Sequence, residues 1–226
     1  MTLNQIIYNV RNIIKDNRSD DIKISDRQLE FILNYYRARI IKQEVDKNRP
    51  LSPNVIQDLG SVAVSKFDKS ESITTGNPIL RTTNLIPKVL DLSNTQSLTY
   101  VGSLDKTSSF DIVSKVRSRY NKYNKYGKSY STAYYRNRYV YVEDCPKLLT
   151  AINVEGVFEN PREAANYINR DNPTYDFGND NYPISEYMIP VINDLILSKE
   201  INVFIQSIPD NVNDASTEIK NSNLQK

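Results

Sequence analysis

The chain has 226 residues, enough to bury a real core, but 39% hydrophobic residues and only 6 glycines keep that core modest for the length. Its 29 basic and 27 acidic residues leave a net charge of +2 that conceals strong segregation. Residues 112–142 hold eight Lys or Arg, eight Tyr and no acid, whereas residues 143–226 hold 6 basic and 14 acidic side chains. With no histidine, one cysteine and no run of about 18 apolar residues, the sequence excludes histidine acid–base chemistry, a disulfide framework, a cysteine-rich metal site and a membrane-spanning helix.

Leu3, Ile6, Ile7, Val10, Ile13 and Ile14 recur at helical spacing in the opening segment, with Thr2 and Gln5 placed as a capping box. This segment has no cleavable apolar core and is not expected to be a signal peptide, and the lone cysteine fits a reducing cytoplasm. A polar turn, NRSDD, leads to a second helix on which Ser25 and Gln28 repeat the capping signature. Leu29, Ile32, Leu33, Tyr36 and Ile40 form its apolar face, and Arg37, Arg39 and Lys42 are expected on its outer side. It is expected to end near Asn48-Arg49-Pro50. Ser52 and Pro53 then open a short helix that Gly60 closes. Residues 1–60 read as a helical subdomain.

The pattern changes beyond Gly60. Val62, Val64 and Phe67, then Ile79-Leu80, Val89-Leu90 and Leu98–Val101 are short runs separated by turn residues, as in a small sheet or barrel. Tyr139–Val142 and Ile152–Phe158 are the clearest strands. Residues 61–160 thus read as a β-rich domain that carries the basic, tyrosine-rich stretch 112–142 as an arm. Asn160 caps a helix that begins at Pro161 and runs to Ile168, with Glu163 at its third position. A loop over 169–183 leads to a helix over Met188–Phe204, making 161–208 a C-terminal helical segment. Residues 209–226 are polar and expected to be extended or disordered. The fold class is α+β: an N-terminal helical bundle, a small antiparallel β-domain and a C-terminal helix.

Chemistry is sparse. Cys145 precedes a proline and has no histidine partner. The carboxylate pairs Asp20-Asp21, Glu143-Asp144 and Asp176/Asp180 lack calcium-loop spacing, and no phosphate-binding glycine loop occurs. The sequence therefore points away from an enzyme, and no cofactor or metal is expected. The basic run has two readings. Lys and Arg would contact phosphates while Tyr stacks on bases; or tyrosine and arginine, the residues enriched at interfaces, would dock on a protein, for instance on the acidic C-terminal half of an identical neighbour. Head-to-tail docking of that kind closes rings.

Ile24 to Gly60 (ISDRQLEFILNYYRARIIKQEVDKNRPLSPNVIQDLG), the opening MTLNQIIYNVRNIIKD, the run ending YYRNRYVYV and the segment INVEGVFENPREAANY (Ile152 to Tyr167) resemble head–tail connector structural proteins of crAss-like and related short-tailed bacteriophages. The resemblance spans most of the chain to about residue 205; the tail after Pro209 does not share it. It implies a virion protein made in the host bacterial cytoplasm and placed in the neck. There it would form a homo-oligomeric ring of twelve copies between the portal and the tail or a second ring protein, with genomic DNA passing through the channel. No membrane, cofactor or catalytic residue is implied.

On this reading Tyr120, Tyr123, Tyr126, Tyr134, Tyr135, Arg136 and Arg138 are the expected interface residues. Arg117, Arg119, Lys122, Lys125 and Lys128 face a partner subunit or DNA. The alternative is a soluble nucleic-acid-binding protein that uses residues 115–138.

Overall fold

The computed structural model describes residues 1–17, 24–67, 79–92, 97–121, 131–144 and 149–200, with 15–17, 119 and 121 described for their backbone alone. Five α-helices and a seven-stranded sheet make up the described residues, an α+β fold as the sequence implies. Helix α1 (Leu3–Asn17) starts at a capping box in which the Gln5 amide donates to the Thr2 hydroxyl and the Thr2 amide donates to Gln5 Oε1. Ser25 and Gln28 form the same box at the start of α2 (Asp26–Asp46). Each box satisfies amides that the first helical turn leaves without partners, which fixes both start points.

A three-residue 3-10 turn, Pro53–Val55, leads into β1 (Gln57–Lys66). The remaining strands are β2 (Ile79–Thr82), β3 (Leu98–Gly102), β4 (Asp111–Ile112), β5 (Thr132–Arg136), β6 (Tyr139–Glu143) and β7 (Ala151–Gly156). Their order across the sheet is β3-β7-β1-β2-β6-β5-β4, and every pair is antiparallel except β4–β5. The two edges meet: Gly102 bridges Ser109, and the Phe110 amide donates to the Val101 carbonyl at 2.7 Å. The sheet is nearly a closed barrel, which leaves little free strand edge. Alternating residues, among them Val62, Leu80, Ala133, Val140, Val142, Ile152 and Val154, fill its interior.

Gly60 does not close a helix. It lies inside β1 at φ 65°, where the register against β7 shifts between Asp58 and Ser61. This bulge puts one residue in the left-handed region, and glycine takes that conformation without a Cβ clash. Gly156 serves a different need. A Cβ there would lie 2.6 Å from the Ser97 carbonyl, because the β3 approach and the end of β7 pack backbone to backbone. Val89 forms an isolated bridge to Phe158 rather than a strand with Leu90.

The second hydrophobic cluster joins the first two helices to the segment around residues 188–196. Leu3, Ile6, Val10 and Ile14 of α1 and Leu29, Leu33, Tyr36 and Ile41 of α2 pack with Met188, Ile192 and Ile196 near the C-terminus. Helix α3 (Lys115–Asn121) packs on β5, and α4 (Pro161–Ile168) packs on β1, with Ala164 in the barrel cluster and Ala165 in the helical one. Helix α5 (Met188–Leu195) packs on α2 and continues as a π-helical turn, Ile196–Glu200, so the expected helix to Phe204 is regular only as far as Leu195. Residues 201–204 of that helix, the rest of the 161–208 segment beyond them, the tail 209–226 and Cys145 lie outside the described residues.

Arg37 sits where the two layers join. It is not on the outer side of α2, as Arg39 and Lys42 are; it is fully buried. Its position continues the stripe Leu29, Leu33, Ile41, Val45 at four-residue spacing, so the helix turns it inward. There Nε donates to the Pro183 carbonyl at 2.7 Å, Nη1 to Phe158 at 3.0 Å and Nη2 to Val55 at 3.2 Å. Burial lowers its pKa, and the Tyr182 ring 6.0 Å away flanks the charge. Tyr182 donates to Asn34 Oδ1 at 2.6 Å, and Tyr36 donates to Glu200 Oε1 at 2.6 Å.

Replacing Arg37 with Met leaves three carbonyls without their donor and is expected to lower stability by about 3–5 kcal/mol. Lys at this position should recover little, because an ammonium cannot span three divergent acceptors. Urea unfolding of both variants checks this, and a loss below about 1 kcal/mol for R37M contradicts it.

Burial, then the bond to Glu200, raises Tyr36 to about 12, and burial raises Tyr182 as well. Both hold their proton more tightly when folded, so their contribution is intact below about pH 10 and is lost as pH rises through about 12. Urea midpoints should fall over that window, and Tyr36→Phe and Tyr182→Phe should flatten the fall; an equally steep decline in both variants contradicts the assignment.

Candidate functional site

The basic, tyrosine-rich run divides into an inward part and an outward part. Its C-terminal third is hairpin rather than arm. Arg136 pairs with Tyr139 across a two-residue turn, Asn137-Arg138, whose φ angles of 51° and 64° match the right-handed twist of the strands. Tyr134 stacks on Tyr141 across the β5–β6 ladder with centroids 5.0 Å apart and planes 6° apart. Phe67 meets Tyr141 edge-on at 5.6 Å, and the Arg81 guanidinium lies between the Phe67 and Tyr139 rings at 4.9 and 4.5 Å. The result is one ladder on the outside of the barrel, held by aromatic and cation–π contacts.

Four of the sequence-expected interface residues belong to this hairpin. Tyr134 is buried within its own subunit, where burial and then Glu143 push its pKa to about 12. Tyr135 packs against the barrel core and accepts the Val89 amide at 3.5 Å. Arg138 donates from Nε to the Ile86 carbonyl at 3.1 Å and pairs with Glu163 of α4. These three are engaged internally. Arg136 is exposed at the end of β5.

The outward part is α3. Its buried positions, Val113 just before it and Ser118, face the sheet. That leaves Val116 (67% exposed) and Tyr120 (70% exposed) one turn apart on the free side, with Arg117 exposed beside them. Arg119 lies on the same helix. Lys122, Tyr123, Lys125, Tyr126 and Lys128 lie outside the described residues.

Two further faces were not expected from the sequence. On α5, Tyr187 (60%) and Val191 (48%) are exposed one turn apart, next to exposed Glu186 and Asp194. Between α1 and α2 a groove of about 720 Å³ lies beneath exposed Tyr8 and Phe31. Both of its carboxylates are already matched, because Arg162 binds Glu30 through two bonds of 2.6 and 2.8 Å and Arg11 pairs with Asp26. In each case the sequence signal is an apolar residue at a solvent-side helical position, which reads as noise until the buried side is known. Exposed apolar pairs of this kind mark interaction surfaces. Among the described residues no group of three or more metal-ligating side chains occurs, and no helix is long and apolar enough to cross a membrane.

The division of the run is testable. Tyr134→Ala should cost about 3–5 kcal/mol in urea unfolding, whereas Tyr120→Ala should change stability by less than about 0.5 kcal/mol. Equal effects contradict the assignment of one ring to a buried cross-strand stack and the other to a free surface.

The sequence matches the family model of phage tail ring protein 2 over residues 5–222. No curated protein matches it. With the match covering nearly the whole chain, the protein belongs to this phage tail ring protein family.

Proposed function

From membership in a phage tail ring family, we propose that the protein is a non-catalytic subunit of a homo-oligomeric ring in the neck of the virion. The ring sits between portal and tail, in twelve copies that match the portal, and its bore lengthens the channel through which DNA passes. The carrying observation is the family match over residues 5–222. What supports it physically is a subunit that carries exposed apolar pairs beside exposed charges on the outside of a well-packed core. A ring subunit presents such surfaces because each copy must bury two of them, one on either neighbour.

Within this reading, Tyr120 and Arg136, with Tyr123 and Tyr126, meet a neighbour, and Arg117, Arg119, Lys122, Lys125 and Lys128 contact a partner subunit or DNA. Tyr134, Tyr135 and Arg138 act one step back, holding the hairpin that positions α3.

Electron microscopy of the purified full chain, alone and mixed with the portal, tests the proposal. The expected result is closed rings with a hole wide enough for duplex DNA; monomers in both samples overturn it. Changing Arg117, Arg119, Lys122, Lys125 and Lys128 to Glu should abolish docking while leaving the circular dichroism spectrum unchanged. Should the protein stay monomeric yet bind DNA with log affinity falling by about 0.7–0.9 per phosphate contact against log salt, the nucleic-acid reading replaces this one.

A further inference from the structure

We infer that the ring closes through one head-to-tail contact, in which the free face of α3 on one copy seats on the free face of α5 on the next. The inference rests on the ring reading and adds the two surfaces that meet. Each face carries two exposed apolar side chains one helical turn apart: Val116 and Tyr120 on α3, Tyr187 and Val191 on α5. Each is what remains after the opposite side of its helix is buried. Ser118 turns toward the barrel, while Met188, Ile192 and Ile196 turn toward α2. The two helices thus belong to different layers of the subunit, and a contact between them joins different patches of neighbouring copies.

Charge selects this pairing over others. Lys115 and Arg117 flank the α3 pair, within a stretch from Ile112 to Val142 that contains no acid. Glu186 and Asp194 flank the α5 pair, in a segment, 171–200, with six acidic residues and one basic, Lys199. Among the described residues none of Lys115, Arg117, Glu186 and Asp194 is in an ion pair within the subunit. Nearby Arg49 is already committed to Glu44 at 2.8 Å. The groove between α1 and α2 lacks this property, since both of its carboxylates, Asp26 and Glu30, are matched at home. An α3–α3 contact would set like charges against each other, and so would α5–α5. Opposite charge across a desolvated apolar pair sets register and rejects those two-fold alternatives. A contact between unlike patches that repeats from copy to copy closes into a ring when its rotation allows.

Paired charge reversal in the full chain tests this, with native mass spectrometry as readout, in whichever sample assembles, alone or with the portal. Lys115→Glu with Arg117→Glu should weaken assembly at least about tenfold, and so should Glu186→Lys with Asp194→Lys. All four changes on one chain should restore it. In a Cys145→Ser background, Val116→Cys with Val191→Cys should give a ladder of disulfide-linked oligomers on oxidation. Reversals that assemble like the wild type, or a four-fold variant that fails together with no ladder, overturn the contact and leave the ring reading standing. A wild type that remains monomeric in both samples overturns the ring reading itself.

Discussion

The two layers of the subunit are fastened by one buried cation. Arg37 reaches three carbonyls, those of Val55, Phe158 and Pro183, which belong to the entry to β1, the exit from β7 and the approach to α5. Moving an ion out of water costs several kcal/mol, and such a cost is offset only by well-directed hydrogen bonds. A guanidinium suits the task because its planar fork presents several donors at fixed angles and stays charged when buried. The same side chain that satisfies these carbonyls therefore fixes where the helical layer sits on the barrel. Around it Val157 belongs to the helical core and Phe158 to the barrel core, so the chain crosses between layers at the point where the arginine holds it.

With the layers fixed, the outer surfaces acquire defined positions. The basic run is a case where one composition serves two ends. Residues 131–143 build the hairpin, and their tyrosines stack across strands, where aromatic pairs stabilise a sheet. Residues 115–121 form α3, whose tyrosine and arginine point away from the core. The hairpin supports the helix, because α3 packs on β5. Aromatic residues in a basic stretch are thus partly the scaffold of a surface and partly the surface itself.

Much of this was legible in the sequence where local chemistry decides the structure. The capping boxes at Thr2 and Ser25, the Asn160 cap and the alternation in β1, β6 and β7 all follow from hydrogen-bond needs or periodicity within a few residues. The failures share one cause, which is tertiary context. A glycine such as Gly60 can end a helix or open a bulge, and only the pairing of β1 with β7 shows which applies. Charge alone puts Arg37 in solvent, although its spacing from Leu33 and Ile41 places it on the buried stripe. Composition also hid where the arm ends and the sheet begins, because Asn137-Arg138 is not among the commonest turn pairs. The exposed pairs on α3 and α5 became visible only when the opposite faces were seen to be filled.

A subunit held this way offers unlike, oppositely charged faces on its two layers, and the proposed ring repeats one contact between them. A cryo-electron microscopy reconstruction of the assembled ring, at a resolution that places helices, tests this most directly. The expected map shows α3 of each copy lying against α5 of the next around the whole circuit, with Arg37 buried at the layer junction in every subunit. A closed ring in which α3 lines the bore or faces solvent, and α5 meets some other element, would contradict the account.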